Sequence, residues 1–181
     1  SKRQYLIDGK RYEINFGTKL LEYYIHPPLA YLEEAGISNP DLIYNLQEKN
    51  DTFILISNKE KKAWSTDSIS LFKRRLSLKL LNEIYQLTEQ DWFSRVHASA
   101  ITDEHEALIL SSESGSGKST LACLMQSRGF RLVSDDFVPL AKKNLVYPVP
   151  LASSIKKGSF KAVQQFFPDF SPAEEQQYSF G

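Results

Sequence analysis

Ala107-Leu108-Ile109-Leu110-Ser111-Ser112-Glu113-Ser114-Gly115-Ser116-Gly117-Lys118-Ser119-Thr120 is the stretch on which the fold turns. Ala107 to Leu110 is a short apolar run without alternation, the pattern of a strand buried on both faces. Hydrophobic periodicity then stops, and two glycines appear within three residues. From Lys118 to Arg128 the apolar residues Leu121, Leu124 and Met125 share one helical face, with Gly129 placed for a C-terminal cap. Phe130-Arg131-Leu132-Val133 reads as a second buried strand, ending in Ser134-Asp135-Asp136. Cys123, inside the helix, reads as a small packing residue.

Strand, glycine-rich loop, helix, strand and paired carboxylates form the order that a nucleotide site requires. Gly115 and Gly117 free the backbone of Cβ obstruction, so that N–H groups along Ser114 to Gly117 converge on phosphate oxygens. The helix that opens at Lys118 adds unpaired N–H groups and the positive end of its dipole. Lys118 supplies a cation for the β- and γ-phosphates, and Ser119 is the expected magnesium ligand. ATP with Mg2+ is therefore the expected ligand pair. The full G-x-x-x-x-G-K-[ST] pattern has a glycine where this chain has Ser112, which fits if its φ is negative. The plain alternative is a Gly/Ser loop capped by Ser114 or Ser116; it accounts for neither Lys118 nor the downstream acids.

Asp135 and Asp136 lie sixteen and seventeen positions beyond Ser119. Adjacent carboxylates at a strand end suit phosphoryl transfer, one holding magnesium and the other taking a proton from the attacking hydroxyl. A simple NTPase needs only the first, so the second acid favours a kinase. Read without that context, the pair is a solvated turn with a capping aspartate.

Outward from this core, the chain divides into a small α+β lobe over 1–91 and a nucleotide-binding core over 92–181. Asp8-Gly9 between Tyr5-Leu6-Ile7 and Tyr12 to Phe16 predicts a tight hairpin. Pro27-Pro28 leads into a short helical stretch that Gly36 ends, and Phe53 to Ile56 reads as a buried strand. Ile69, Phe72, Leu76, Leu80, Ile84 and Leu87 fall at helical spacing, with Lys73, Arg75 and Lys79 off the stripe. Val96 to Ile101 and a turn at Asp103-Glu104-His105 open the second part. His105 reads as a turn residue rather than a ligand.

Composition removes whole classes. Lys+Arg and Asp+Glu are each 22, so no overall basicity marks a nucleic-acid partner. A single cysteine excludes an internal disulfide framework and fits a cytoplasmic protein. No apolar run approaches the ~18 residues of a membrane span, and no signal-peptide core follows Ser1-Lys2-Arg3-Gln4. Lys59 to Lys62 and Lys73-Arg74-Arg75 read as a solvated face. Lys156-Lys157-Gly158-Ser159 reads equally as a solvated basic turn and as a contact for phosphate or an acidic acceptor.

The block from Arg95-Val96-His97 through Ser112 to Thr120 and on to Arg131-Leu132-Val133-Ser134-Asp135-Asp136 resembles the HPr kinase/phosphorylase family. The resemblance spans about Arg95 to Leu140, under a third of the chain. It implies a PEP-carboxykinase-like P-loop core and a serine kinase activity. By the same resemblance, Lys118, Ser119 and Thr120 match the nucleotide and magnesium residues, Asp135 the catalytic base and acid, Asp136 the metal-side acid, and His97 the active-site histidine. Taken alone, His97 reads as a core or strand-turn histidine. The first ~90 residues are unlike the N-terminal domain of standard HPr kinases. The whole chain is closer to HPr-kinase-like proteins of ribosomal-peptide pathways, including those that modify the C-terminal serine of lasso-peptide precursors. The acceptor implied is thus a serine in a peptide or small protein, held against the hairpin, Tyr23-Tyr24 and the Phe53 to Ile56 segment at an exposed strand edge. HPr kinases are oligomers, which puts a homo-oligomer among the expected partners. Their later glycine- and arginine-containing segment, linked there to phosphorolysis, has no counterpart before Gly181, so either the reverse reaction is absent or the core is incomplete at its C-terminus. A small-molecule phosphotransferase, a standard HPr kinase and a non-catalytic nucleotide-dependent module are the competing readings.

Overall fold

The computed structural model of the chain describes residues 1–36 and 38–170. It is a mixed α/β structure with three sheets. Two compact units emerge: Ser1–Arg95 with Pro139–Ala152, and Val96–Val138 with Ser153–Gly181. The first stretch of the first unit runs to Arg95, and the chain crosses back to that unit for Pro139–Ala152. Among the described residues no helix is long and apolar enough to cross a membrane.

In the first unit, β1 (Lys2–Ile7) and β2 (Lys10–Phe16) form the hairpin that Asp8-Gly9 predicts. Both turn residues take positive φ, 50° and 73°, as a two-residue hairpin turn demands. Helix α1 (Lys19–Ile25) follows, capped by Thr18, whose hydroxyl accepts from the Leu21 N–H at 3.3 Å. A 3₁₀ turn over Pro27–Leu32 leads toward β3 (Leu42–Lys49), which pairs parallel with β2. β4 (Thr52–Ser57) and the short β5 (Trp64–Thr66) complete a five-stranded sheet in sequence order. The long helix α2 (Ile69–Tyr85) places Phe72, Leu76, Leu80 and Ile84 in one core with Tyr5, Ile14 and Leu55 from the sheet. Phe72, Leu76, Leu80 and Ile84 of the stripe read from the sequence are buried, Ile69 is partly buried, and Leu87 lies beyond the helix end; Leu78 and Leu81, off the stripe, are buried as well. Lys79, expected in solvent, is instead buried and ion-paired with Glu60. Its stem crosses apolar surface while the ammonium reaches a carboxylate, the arrangement that lets a lysine be buried. β6 (Trp92–Val96) ends this part of the chain.

The second unit is built on β7 (Ala98–Thr102), β8 (Ala107–Ser111), α3 (Lys118–Gln126) and β9 (Arg131–Ser134). The sheet order is β8-β7-β9, with β7 antiparallel to both neighbours. β8 and β9 therefore run the same way, and the loop and α3 form the crossover between them. β8 was expected to be buried, but it is an edge strand, with Leu108 53% exposed. A four-residue apolar run cannot by itself distinguish a central strand from an edge. The chain returns to the first unit as β10 (Val138–Ala141) and β11 (Leu145–Val146), in a sheet ordered β11-β10-β6. It then re-enters the second unit with a 3₁₀ turn at Lys157–Ser159 and α4 (Phe160–Gln164).

Candidate functional site

The loop between β8 and α3 holds its shape through its own polar groups. Gly115 and Gly117 take φ of 85° and 96°, a region closed to most side chains, so both positions require glycine. Gly117 is the N-cap of α3 and offers no side-chain cap, leaving the first-turn N–H groups for an outside acceptor. Ser112 is absent from the residues with positive φ, which meets the condition for serine in place of glycine. Its hydroxyl bonds that of Ser116 across the loop. Ser114 is exposed on the loop.

The Lys118 ammonium donates to the carbonyls of Ser112 at 2.8 Å and Glu113 at 2.9 Å. It clasps the loop from within. Ser119, one residue further along α3, donates from its hydroxyl to Asp135 Oδ1 at 2.8 Å. Asp135 also accepts from the Ser99 hydroxyl at 2.5 Å and, on Oδ2, from the Ser154 N–H at 3.3 Å. Ser99, wholly buried on β7, fixes the carboxylate from beneath. The Thr120 hydroxyl donates to Ser159 Oγ at 2.7 Å.

The two aspartates differ sharply. Asp135 is 8% exposed and sits on Ser119, whereas Asp136 has a side chain 73% exposed and turns to His97. The division arises from the backbone: β9 ends at Ser134, and Asp136 takes φ of 67°, which swings consecutive carboxylates apart. His97 Nδ1 lies 3.0 Å from the Asp136 carbonyl oxygen and 3.4 Å from its Oδ1. Both facing atoms accept, so Nδ1 carries the proton, and in the neutral ring Nε2 keeps its lone pair. The Ser119 hydroxyl, the expected magnesium ligand, lies against Asp135, the acid that the resemblance assigns to the acceptor hydroxyl, while Asp136, assigned to the metal side, faces His97.

The donor set fits a hard, hydrated cation. Ser119 Oγ and Asp135 Oδ1 are neighbouring oxygen donors, and among the described residues no group of three or more His, Cys, Asp or Glu forms a protein-only metal cage. Mg2+ takes few protein oxygens and completes its shell with phosphate and water. Among the described residues, the loop presents helix-start N–H groups without a side-chain cap and, at Lys118, an ammonium with no carboxylate ion partner.

Ser99 and Ser154 are not legible as site residues in the sequence, since each reaches Asp135 from 36 or 19 positions away; Ser159, in the basic turn that the sequence offers as a phosphate contact, reaches Thr120 from 39. A polar residue inside the small apolar strand Ala98-Ser99-Ala100 was the one local signal. The acceptor surface expected on the first unit is smaller than its sequence suggests. Phe53 and Leu55 are core residues, and the outer edge of β1 is partly taken by Glu33 and Glu34, the latter donating its N–H to Gln4 O at 2.9 Å.

Compared with protein-family models, with curated proteins and with solved structures, the chain gives no match.

Proposed function

We propose that this protein is an ATP-dependent kinase whose loop over 112–120 is a P-loop, and that it transfers the γ-phosphoryl group to a serine hydroxyl of a peptide or small protein. The carrying observation is the Ser119–Asp135 hydrogen bond at 2.8 Å beside a loop clasped by Lys118. A helix-start hydroxyl against a strand-end carboxylate is the arrangement by which P-loop enzymes hold magnesium. When bound, Mg2+ supplies neutralisation of phosphate charge.

On this reading Lys118 leaves the Ser112 and Glu113 carbonyls for the β- and γ-phosphates, exchanging two neutral acceptors for charged ones. Ser119 and Asp135 hold the metal, and Ser99 and Ser154 orient Asp135. Asp136 is the proton acceptor, exposed where a substrate hydroxyl can approach, with His97 fixing its turn. In the transfer the serine oxygen bonds to the γ-phosphorus, the bond from that phosphorus to the β,γ-bridging oxygen breaks, and the serine proton passes to the Asp136 carboxylate. ADP leaves with the bridging oxygen. These assignments exchange the two aspartates relative to the family resemblance. The cytoplasm is the compartment that supplies ATP and keeps Cys123 reduced.

The acceptor class rests on the paired acids and on the resemblance to HPr-kinase-like enzymes. Incubating the full chain with MgATP and, in parallel, a serine-terminated precursor peptide and the HPr protein, followed by intact-mass measurement, tests it. The expected outcome is one added phosphoryl group on the peptide and little on HPr. Modification of HPr alone would restore the standard family activity, and ATP binding without transfer to either would favour a nucleotide-dependent interaction module.

A further inference from the structure

We propose that Lys156 is a second polyphosphate-binding cation of the loop, delivered by the Ser154–Ser159 segment. The proposal rests on the reading of the loop as an ATP site and adds a residue that the loop motif does not contain. Lys156 Nζ stands over Gly115: a methyl group built on the Gly115 Cα would lie 3.9 Å from it. That is ordinary contact distance, so the ammonium lies directly beside the loop backbone at Gly115.

The segment that carries Lys156 is tied on both sides of it. Ser154 donates its N–H to Asp135 Oδ2 at 3.3 Å, and Ser159 accepts from Thr120, in the first turn of α3, at 2.7 Å. The Ser159 N–H closes the turn on the Lys156 carbonyl at 2.8 Å. Backbone position is thus fixed from the strand end and from the helix start at once, while the four-carbon stem of Lys156 remains exposed and able to adjust.

Charge gives the arrangement its meaning. Lys118 from α3 and Lys156 from the Ser154–Ser159 segment each bring an ammonium to the glycine-rich loop, and among the described residues neither has a carboxylate ion partner. Glu113, the acidic residue of the loop, bridges to neither through its side chain among those residues. Like charges gathered without a counterion oppose folding, and an anion with several charged oxygens reverses that cost. A polyphosphate chain fits, because its charge extends along the loop where a single phosphate would satisfy only one lysine. Lys156 would then neutralise charge beside Gly115, increasing affinity and the preference for longer phosphate chains.

Calorimetric titration of the full chain with MgATP, and with inorganic tripolyphosphate, tests the proposal in wild type, Lys156→Gln, Lys156→Arg and Lys161→Gln, where Lys161 is an exposed lysine of α4. Loss of one charge-assisted contact at an exposed site predicts about tenfold weaker binding of both ligands by Lys156→Gln. Lys156→Arg keeps the charge and is expected within about threefold of wild type, and Lys161→Gln at wild-type affinity. Circular dichroism checks that each variant is folded. Lys156→Gln binding within about twofold of wild type overturns the proposal, as does an equal loss in Lys161→Gln, which would reflect only net charge. If wild type binds no MgATP, the ATP reading of the loop falls along with it; normal wild-type binding with unchanged Lys156→Gln removes Lys156 alone.

Discussion

Asp135→Asn separates a metal-side carboxylate from a structural one. In the folded chain Asp135 Oδ1 accepts from Ser99 at 2.5 Å and Ser119 at 2.8 Å, while Oδ2 takes only the 3.3 Å bond from the Ser154 N–H. An asparagine can keep its oxygen on the two hydroxyls and lose the weakest contact. Turning two charge-assisted bonds into neutral ones costs roughly 1 kcal/mol each. Against this, the variant no longer buries a carboxylate that has no basic partner among the described residues, a relief of similar size, about 1–3 kcal/mol. Folding stability should therefore change by no more than about 1 kcal/mol, or ~2–4 °C in melting temperature for a chain of this size. The cation is affected far more, since a neutral amide oxygen replaces a carboxylate at a hard divalent ion. Magnesium-dependent enhancement of ATP affinity should fall by about 10- to 100-fold, with affinity in EDTA little changed. Titrations with and without magnesium, alongside thermal melts, read both quantities. Full retention of the magnesium increment in a folded Asp135→Asn protein would refute the metal role. Collapse of the fold would show that the three hydrogen bonds serve the structure first.

The companion change, Asp136→Asn, is expected to keep MgATP affinity within about threefold and to reduce transfer by 10²-fold or more, measured by initial rates on the acceptor peptide. Unchanged rates would leave His97 as the base. Phe72→Ala should destabilise the first unit by about 3–5 kcal/mol in denaturant unfolding, because the ring is wholly buried with Phe53 and Trp64 centroids 5.7 and 6.3 Å away. Glu22 is held below its ordinary carboxyl range, first by the Ser1 hydroxyl and then by the Arg3 guanidinium. Its folded-state pKa is depressed, so its contribution is complete above the unfolded value and is lost as pH falls through the folded value. Glu22→Gln should therefore lower the melting temperature at pH 7 and converge with wild type in acid, below the usual carboxylate range; a constant offset across pH would contradict the ion-pair origin.

The features legible in the sequence are those set by neighbours in the chain. The Asp8-Gly9 hairpin, the α2 stripe through Phe72 and Leu76, and the loop with α3 each follow from local backbone preference or periodicity. β3 carries Leu42, Tyr44 and Leu46 at alternating buried positions, but apolar Ile43 between the first two interrupts the alternation that would mark it as a strand. α1 is marked only by the Thr18 cap and seven residues, too short for a periodic signal. Exposure of Leu108 on β8 and burial of Lys79 depend on which elements lie alongside, and no local window holds that information. The same limit applies to the site. Residues 112–120 and the two aspartates are sequence motifs, whereas the choice of Asp135 for Ser119 depends on a turn at Asp136 with φ of 67°.

Nucleotide binding at the glycine-rich loop is tested most directly by calorimetric titration of the full chain with MgATP, wild type beside Lys118→Ala. Wild type should saturate at one ATP per chain. Lys118→Ala removes the ammonium that clasps Ser112 and Glu113, leaves the loop glycines and helix start in place, and should bind about 10- to 100-fold more weakly with an unchanged circular dichroism spectrum. No binding by wild type, or wild-type affinity in a folded Lys118→Ala protein, would contradict an ATP site at this loop.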